Sequence, residues 1–246
     1  MPTADRDARD ARVARDRSGP DGRPAGRPSA EPRIWVMTLG PFQANCYVVA
    51  CPETGKALVI DPGAEAHRVI DLIRREGLEV EAIVNTHGHV DHVGADAAVR
   101  EATGAPVLVH EEDAGMLKSP LVSLSALLPG AGGAARVTPD RELADGDRLK
   151  AGTLEFVVRH TPGHSRGSVC LVLDREPEAP SLCFSGDTLF AGSVGRTDLP
   201  GGDWDTLEKS IREVIYALPD RTVVLPGHGP RTTVSREKKT NAFVRG

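Results

Sequence analysis

Long apolar runs are missing from this 246-residue sequence. Its hydrophobic segments, such as "ALVI" and "TVVL", are strand-length, far short of the roughly 20 residues needed to cross a bilayer. A membrane partner is therefore not expected. The charged N-terminus is followed by no apolar block, so it does not read as a secretory leader. Paired cysteine motifs are also missing. The four cysteines, Cys46, Cys51, Cys170 and Cys183, form no CxxC. They read as small buried hydrophobes in a reducing compartment rather than as disulfides. A basic surplus is absent as well: the formal net charge is −5, and no basic stripe breaks that balance. Nucleic acid is excluded as a partner on this ground. A cytoplasmic location is the expectation these absences leave. The length is enough for one large α/β domain or two small ones.

The chain divides by texture. Residues 1–32 carry almost no sizeable apolar side chain besides Val13, too little buried surface to offset the entropy of ordering, and are expected to be a disordered tail. Residues 33–246 are expected to form one domain. Short apolar strands are predicted over 34–37, 46–50 and 57–60, then a helix with Val69, Leu72 and Ile73 at core spacing that ends at Gly77. A strand over 82–84, a helix over about 95–102 and a strand over 107–109 follow. Residues 119–146 read as irregular. A second set has strands over 154–158, 169–173, 182–185 and 222–225. Between the last two lies a helix opened by Asp205, with Glu208 three residues later in the pattern of an N-terminal cap. A short helix over about 236–243 closes the chain. Two such sets suggest an α/β fold of two sheets packed face to face with helices outside.

Eight histidines punctuate this pattern, and five of them lie in glycine-rich blocks just past a predicted strand. "EAIVNTHGHVDH" supplies His87, His89 and His92, with Asp91 among them. "EFVVRHTPGHS" supplies His164, and "TVVLPGHGP" supplies His228. "LCFSGDTLF" places Asp187 after a strand in the same way. Loops that follow strands are where a scaffold displays chemistry. His67 reads as a surface residue on a helix, and His110 and His160 as ordinary residues at strand ends. The remaining five imidazoles and two carboxylates make seven candidate ligands with no thiolate. Seven is too many for one tetrahedral zinc and suits two divalent ions sharing a carboxylate. Imidazole with carboxylate favours zinc, with iron or manganese as alternatives. Such a pair lowers the pKa of bound water to about 7 and yields hydroxide at neutral pH.

These blocks resemble the metallo-β-lactamase superfamily over residues 34–243, through HxHxDH followed by a histidine, an aspartate and a last histidine. The resemblance implies a four-layer αββα sandwich with a dinuclear site at one edge of the sheets. It implies that one ion takes His87, His89 and His164, that the other takes Asp91, His92 and His228, and that Asp187 bridges them. Asp91 would orient the nucleophile or accept its proton. No cysteine stands at a ligand position, unlike many β-lactamases of this kind, and His89 stands where flavodiiron proteins have an acid. "SGDTLFAGSVGRTDLPGGDW" and "LPGHGPRTTVSREKKTNAF" look like short, single-domain relatives of glyoxalase II, the hydroxyacylglutathione hydrolases. In the longer enzymes a basic residue nine after the bridging aspartate binds glutathione; the matching position is Arg196. Asp198 stands where they have tyrosine. The sequence ends eighteen residues after His228, so their helical C-terminal domain, which completes the thiol pocket, is expected to be absent. The function so implied is hydrolysis of a small-molecule thioester such as S-lactoylglutathione, with the thiol left open. The alternatives are a persulfide dioxygenase with one iron and an ester or lactone hydrolase. The apolar stretch "PLVSLSALLPG" is expected to cover the acyl side as a lid.

Overall fold

The computed structural model describes residues 31–118 and 137–246. The expected tail, up to residue 30, and the expected lid lie outside the described residues.

Two six-stranded sheets carry the fold. The first contains β1 (Arg33–Leu39), β2 (Ala44–Ala50), β3 (Lys56–Ile60), β4 (Glu79–Val84), β5 (Val107–His110) and β6 (Arg141–Leu143), in that spatial order. The second contains β7 (Arg148–Ala151), β8 (Leu154–His160), β9 (Val169–Leu173), β10 (Leu182–Gly186), β13 (Val223–Pro226) and β14 (Thr232–Thr233), ordered 14-13-10-9-8-7. A two-stranded ribbon, β11 (Leu189–Phe190) and β12 (Ser193–Val194), lies between β10 and β13 in the chain. The helices are α1 (Ala66–Glu76), α2 (Val90–Val93), α3 (Asp96–Thr103), α4 (Ala114–Lys118), α5 (Trp204–Ser210, continued by a π turn over Ile211–Ile215) and α6 (Val234–Thr240). Among the described residues no helix is long and apolar enough to cross a membrane.

Strand periodicity explains the layering. In β2 every residue is buried, because successive side chains point to opposite faces and both faces are covered. Tyr47 and Val49 face the second sheet, where they join Phe156, Leu171 and Phe184 in one core. Cys46, Val48 and Ala50 face outward into a second cluster with Val69, Leu72 and Ile73 of α1 and Val99 of α3. The outer face of the second sheet does the same with Leu207, Ile211 and Ile215. The result is helix, sheet, sheet, helix, as expected. Helix α1 ends at Gly77, whose φ of 63° places it in the left-handed region that glycine tolerates.

Three expectations need correction. Helix α5 is capped by Asp203, not Asp205; the Asp203 carboxylate accepts from the backbone N–H of Thr206. Part of the stretch read as irregular is strand: β6 pairs in parallel with β5. Strand β7, unread in the sequence, is the edge of the second sheet. All four cysteines are free and buried, as expected.

Candidate metal centre

The loops after β4, β8, β10 and β13 meet at one edge of the sandwich, and they carry all seven predicted ligands. Several of these loops and rings are fixed from behind by hydrogen bonds. The loop after β4 begins with Asn85, whose amide donates to the His92 carbonyl (3.2 Å) and to Asp96 (3.2 Å). Asp61, just past β3, accepts from the Thr86 backbone N–H (2.7 Å), the Thr86 hydroxyl (2.7 Å) and His92 Nδ1 (3.0 Å). That last bond leaves His92 Nε2 facing the site. Gly63 lies against this turn: a Cβ there would come within 1.5 Å of the Asp91 carbonyl oxygen. Asp113 ties the first sheet to the second. Its carboxylate accepts from the backbone N–H groups of Gly88 (2.8 Å) and Gly167 (2.7 Å) and from the Ser165 hydroxyl (2.7 Å). His164 Nδ1 donates to the Arg196 carbonyl (2.8 Å), which turns its Nε2 inward.

The loop bearing His228 is held from the opposite sheet. Asn45 of β2 donates from its amide to the carbonyls of Pro226 (3.0 Å) and Gly229 (2.9 Å). The Tyr47 hydroxyl also donates to Pro226 (2.6 Å). Gly227 leaves room beside Asp187, since a Cβ at that position would lie 2.2 Å from Asp187 Oδ1.

The inward atoms form overlapping groups. His87, His89 and His164 each offer a ligand atom, all within 4.8 Å of one another; so do His87, His92 and Asp187, and so do Asp91, His92 and His228. Asp187 spans them. Its Oδ1 lies 3.4 Å from His92 Nε2, and its Oδ2 lies 3.6 Å from His164 Nε2 and 3.5 Å from His228 Nε2. His228 Nε2 is also 3.3 Å from Asp91 Oδ2. His87 Nε2, His92 Nε2 and Asp187 Oδ1 are buried with no hydrogen-bond partner. Buried polar atoms are rarely left so, and three converging on one point fit a cation better than any protein contact. The nitrogen and oxygen donors suit a divalent ion of the zinc, iron or manganese kind.

Electrostatics agree with that reading. Burial, reinforced by the neighbouring imidazoles, holds His87 well below its usual pKa. Burial and His164 push His89 down to about 3. Burial also works to lower His92, but Asp187, Asp91 and Asp61 outweigh it and push that imidazole up to about 10. Burial works to raise Asp91, yet His92 and His228 hold its carboxyl well below the usual range. Burial thus biases His87 and His89 toward the neutral form in which an imidazole can bind a metal, and the neighbouring imidazoles bias Asp91 toward its ionised form.

Arg196 sits differently. Its carbonyl holds His164, while its exposed guanidinium makes a two-pronged pair with Asp198 (2.7 Å each). His67 is exposed on α1, as read. His110 and His160 form a fourth group with Glu112, but their rings stack in parallel, 8° apart at 4.1 Å between centroids. Parallel rings cannot aim both lone pairs at one ion. His110 Nδ1 accepts from the Glu112 backbone N–H, and His160 Nε2 donates to the Arg166 carbonyl. The pair is packing, as the sequence suggested. Sequence reasoning missed Asp61, Asp113 and Asn45. Asp61 had a signal, because it follows β3 as Asp187 follows β10.

Comparison with known proteins gives the same frame. The model of the Metallo-beta-lactamase superfamily matches residues 39–228. The hydroxyacylglutathione hydrolase GloC of Haemophilus influenzae is 34% identical over 213 residues, which span 86% of this chain and 97% of that protein. The crystal structure of BLEG-1 B3 metallo-beta-lactamase is 41% identical and superposes with a TM-score of 0.81 over 87% of this chain and all of its own. The di-iron-bound form of TTHA1623 is 40% identical, with a TM-score of 0.72 over 86% of this chain and all of its own.

Proposed function

Because the chain belongs to the metallo-beta-lactamase superfamily, and so is a metal-dependent hydrolase, we propose that it cleaves a small-molecule thioester of the S-lactoylglutathione type at a two-ion centre. The ligands in this reading are His87, His89 and His164 for one ion and Asp91, His92 and His228 for the other, with Asp187 between them. The observation that carries it is Asp187, whose two oxygens face imidazoles of both groups while Oδ1 has no hydrogen-bond partner. A thioester is favoured by the GloC relative. Zinc is the metal we favour, on a donor set of imidazoles and carboxylates.

When bound, the divalent ions supply the positive field that polarises water and a carbonyl oxygen at neutral pH. The chain's own residues do the rest. Asp91, held ionised, orients the attacking water by accepting a hydrogen bond from it. Asp61 and the Arg196 carbonyl lock the rings of His92 and His164. The Arg196 guanidinium holds an anionic part of the thiol at the rim, in competition with Asp198. The leaving thiolate needs no strong acid. A reducing compartment, such as the cytoplasm, suits four free cysteines.

The test is metal quantification on purified protein, followed by a panel of thioesters, lactones, a β-lactam and a persulfide with oxygen uptake recorded. Thioester turnover with two ions per chain is expected. Oxygen uptake with persulfide, or turnover of the lactone or β-lactam alone, would overturn the substrate assignment.

A further inference from the structure

Behind the loop that bears His228, a cavity of about 540 Å³ opens between β1–β2 of the first sheet and the β10–β13 side of the second. Its walls are apolar: Ile34, Val36, Tyr47, Leu182, Val223 and Leu225. The polar groups of Tyr47 and Asn45 on this wall are already spent on the Pro226 and Gly229 carbonyls. What remains for recognition is charge. Arg175 lines the cavity with its side chain only 8% exposed, and its one charged partner among the described residues is Glu31 at 2.6 Å. Glu31 is 79% exposed, so it gives little back for a desolvated guanidinium. Arg231 also lines the cavity and makes no ion pair among the described residues. None of the seven centre residues does.

An apolar slot of this size, with one deeply set guanidinium and a surplus of positive charge, matches one ligand chemistry. Its volume lies in the usual range for small-molecule sites, about 300–1,000 Å³. A carboxylate fits the guanidinium fork in the two-pronged way that a glutamate tethered at the rim does not. We propose that this cavity binds a free medium-chain fatty acid. The hydrocarbon lies along the apolar walls, and the carboxylate takes the place of Glu31 on Arg175. The chain excludes water from around that ion pair and so strengthens it.

Isothermal titration of the full chain with decanoate, octanoate, decanol and acetate, all below micelle-forming concentrations, tests this. Decanoate is expected to bind one per chain. Octanoate, two methylenes shorter, should bind about tenfold more weakly. Decanol should lose about tenfold or more, and acetate should show no binding. Glu31→Gln frees Arg175 and should tighten decanoate several-fold, a gain that misfolding cannot mimic. Arg175→Met should weaken it about tenfold or more, and Val36→Trp, at a position 52% exposed, should block the slot. Decanol binding as tightly as decanoate, or decanoate affinity unmoved by Glu31→Gln and Val36→Trp, would overturn the assignment.

Discussion

Replacing Asp113 with alanine tests how the metal loops are held. Asp113 is 1% exposed and reaches no candidate ligand directly. Its carboxylate satisfies two buried backbone N–H groups, those of Gly88 and Gly167, and the Ser165 hydroxyl. In the alanine variant Ser165 can turn to Ser168, whose hydroxyl lies 2.7 Å away. The two backbone donors have no such alternative. Each buried donor left unpaired costs about 1–3 kcal/mol, so the variant should lose about 4 kcal/mol. For a chain of this size that lowers the melting temperature by about 10 °C. Gly88 lies between His87 and His89, and Gly167 lies three residues past His164, so both loops loosen. Metal affinity should fall about 10- to 100-fold. Asp113→Asn keeps one acceptor and should fall between. Calorimetry and metal quantification after dialysis against a weak chelator check both effects, with Glu112→Ala next door as an exposed control. A melting temperature within about 2 °C of the parent, with full metal, would refute the reasoning.

Asp187→Ala should lose metal and turnover together, because one residue faces both groups; a fully loaded, active variant would dismiss the bridge. Arg196→Ala should raise KM for anionic thiols with little change in kcat, since uniform binding is what is lost, while Asp198→Ala should lower KM by freeing the guanidinium. Unchanged KM in both would return the pair to a structural role. Gly163→Ala should abolish soluble expression or cost about 3 kcal/mol or more, because its φ is 129° and a Cβ would lie 2.3 Å from the Leu207 backbone nitrogen; a denaturation curve matching the parent would show that the turn adapts.

What could be read from the sequence were the parts that announce themselves locally. Central strands such as β9, Val-Cys-Leu-Val-Leu, are continuous apolar runs, and the ligand blocks are glycine-rich turns directly behind apolar strands. Strands β6 and β7 escaped because they are short sheet edges whose charged residues face water: β7 reads Arg-Leu-Lys-Ala, with only Leu149 and Ala151 buried. Asn45 escaped for a different reason. Its partner Pro226 is 181 residues away, and the contact is to a backbone carbonyl, which leaves no mark in the side-chain pattern. Asp113 likewise acts on backbone N–H groups in two other loops. The cap of α5 was misplaced by two residues because two aspartates flank Trp204, and local pattern alone does not choose between them.

The two sheets share the proposed centre: His87, His89, Asp91 and His92 follow strands of the first, while His164, Asp187 and His228 follow strands of the second. Peeling the layers apart would mean tearing ions from one set of donors. The metal is then a rivet as well as a reagent, and its effect should show in time. Unfolding should slow as free metal rises, while refolding stays near its metal-free rate if the seam closes late. A protein so fastened resists proteolysis and force in proportion to its loading, which makes metal supply a determinant of how long each molecule lasts.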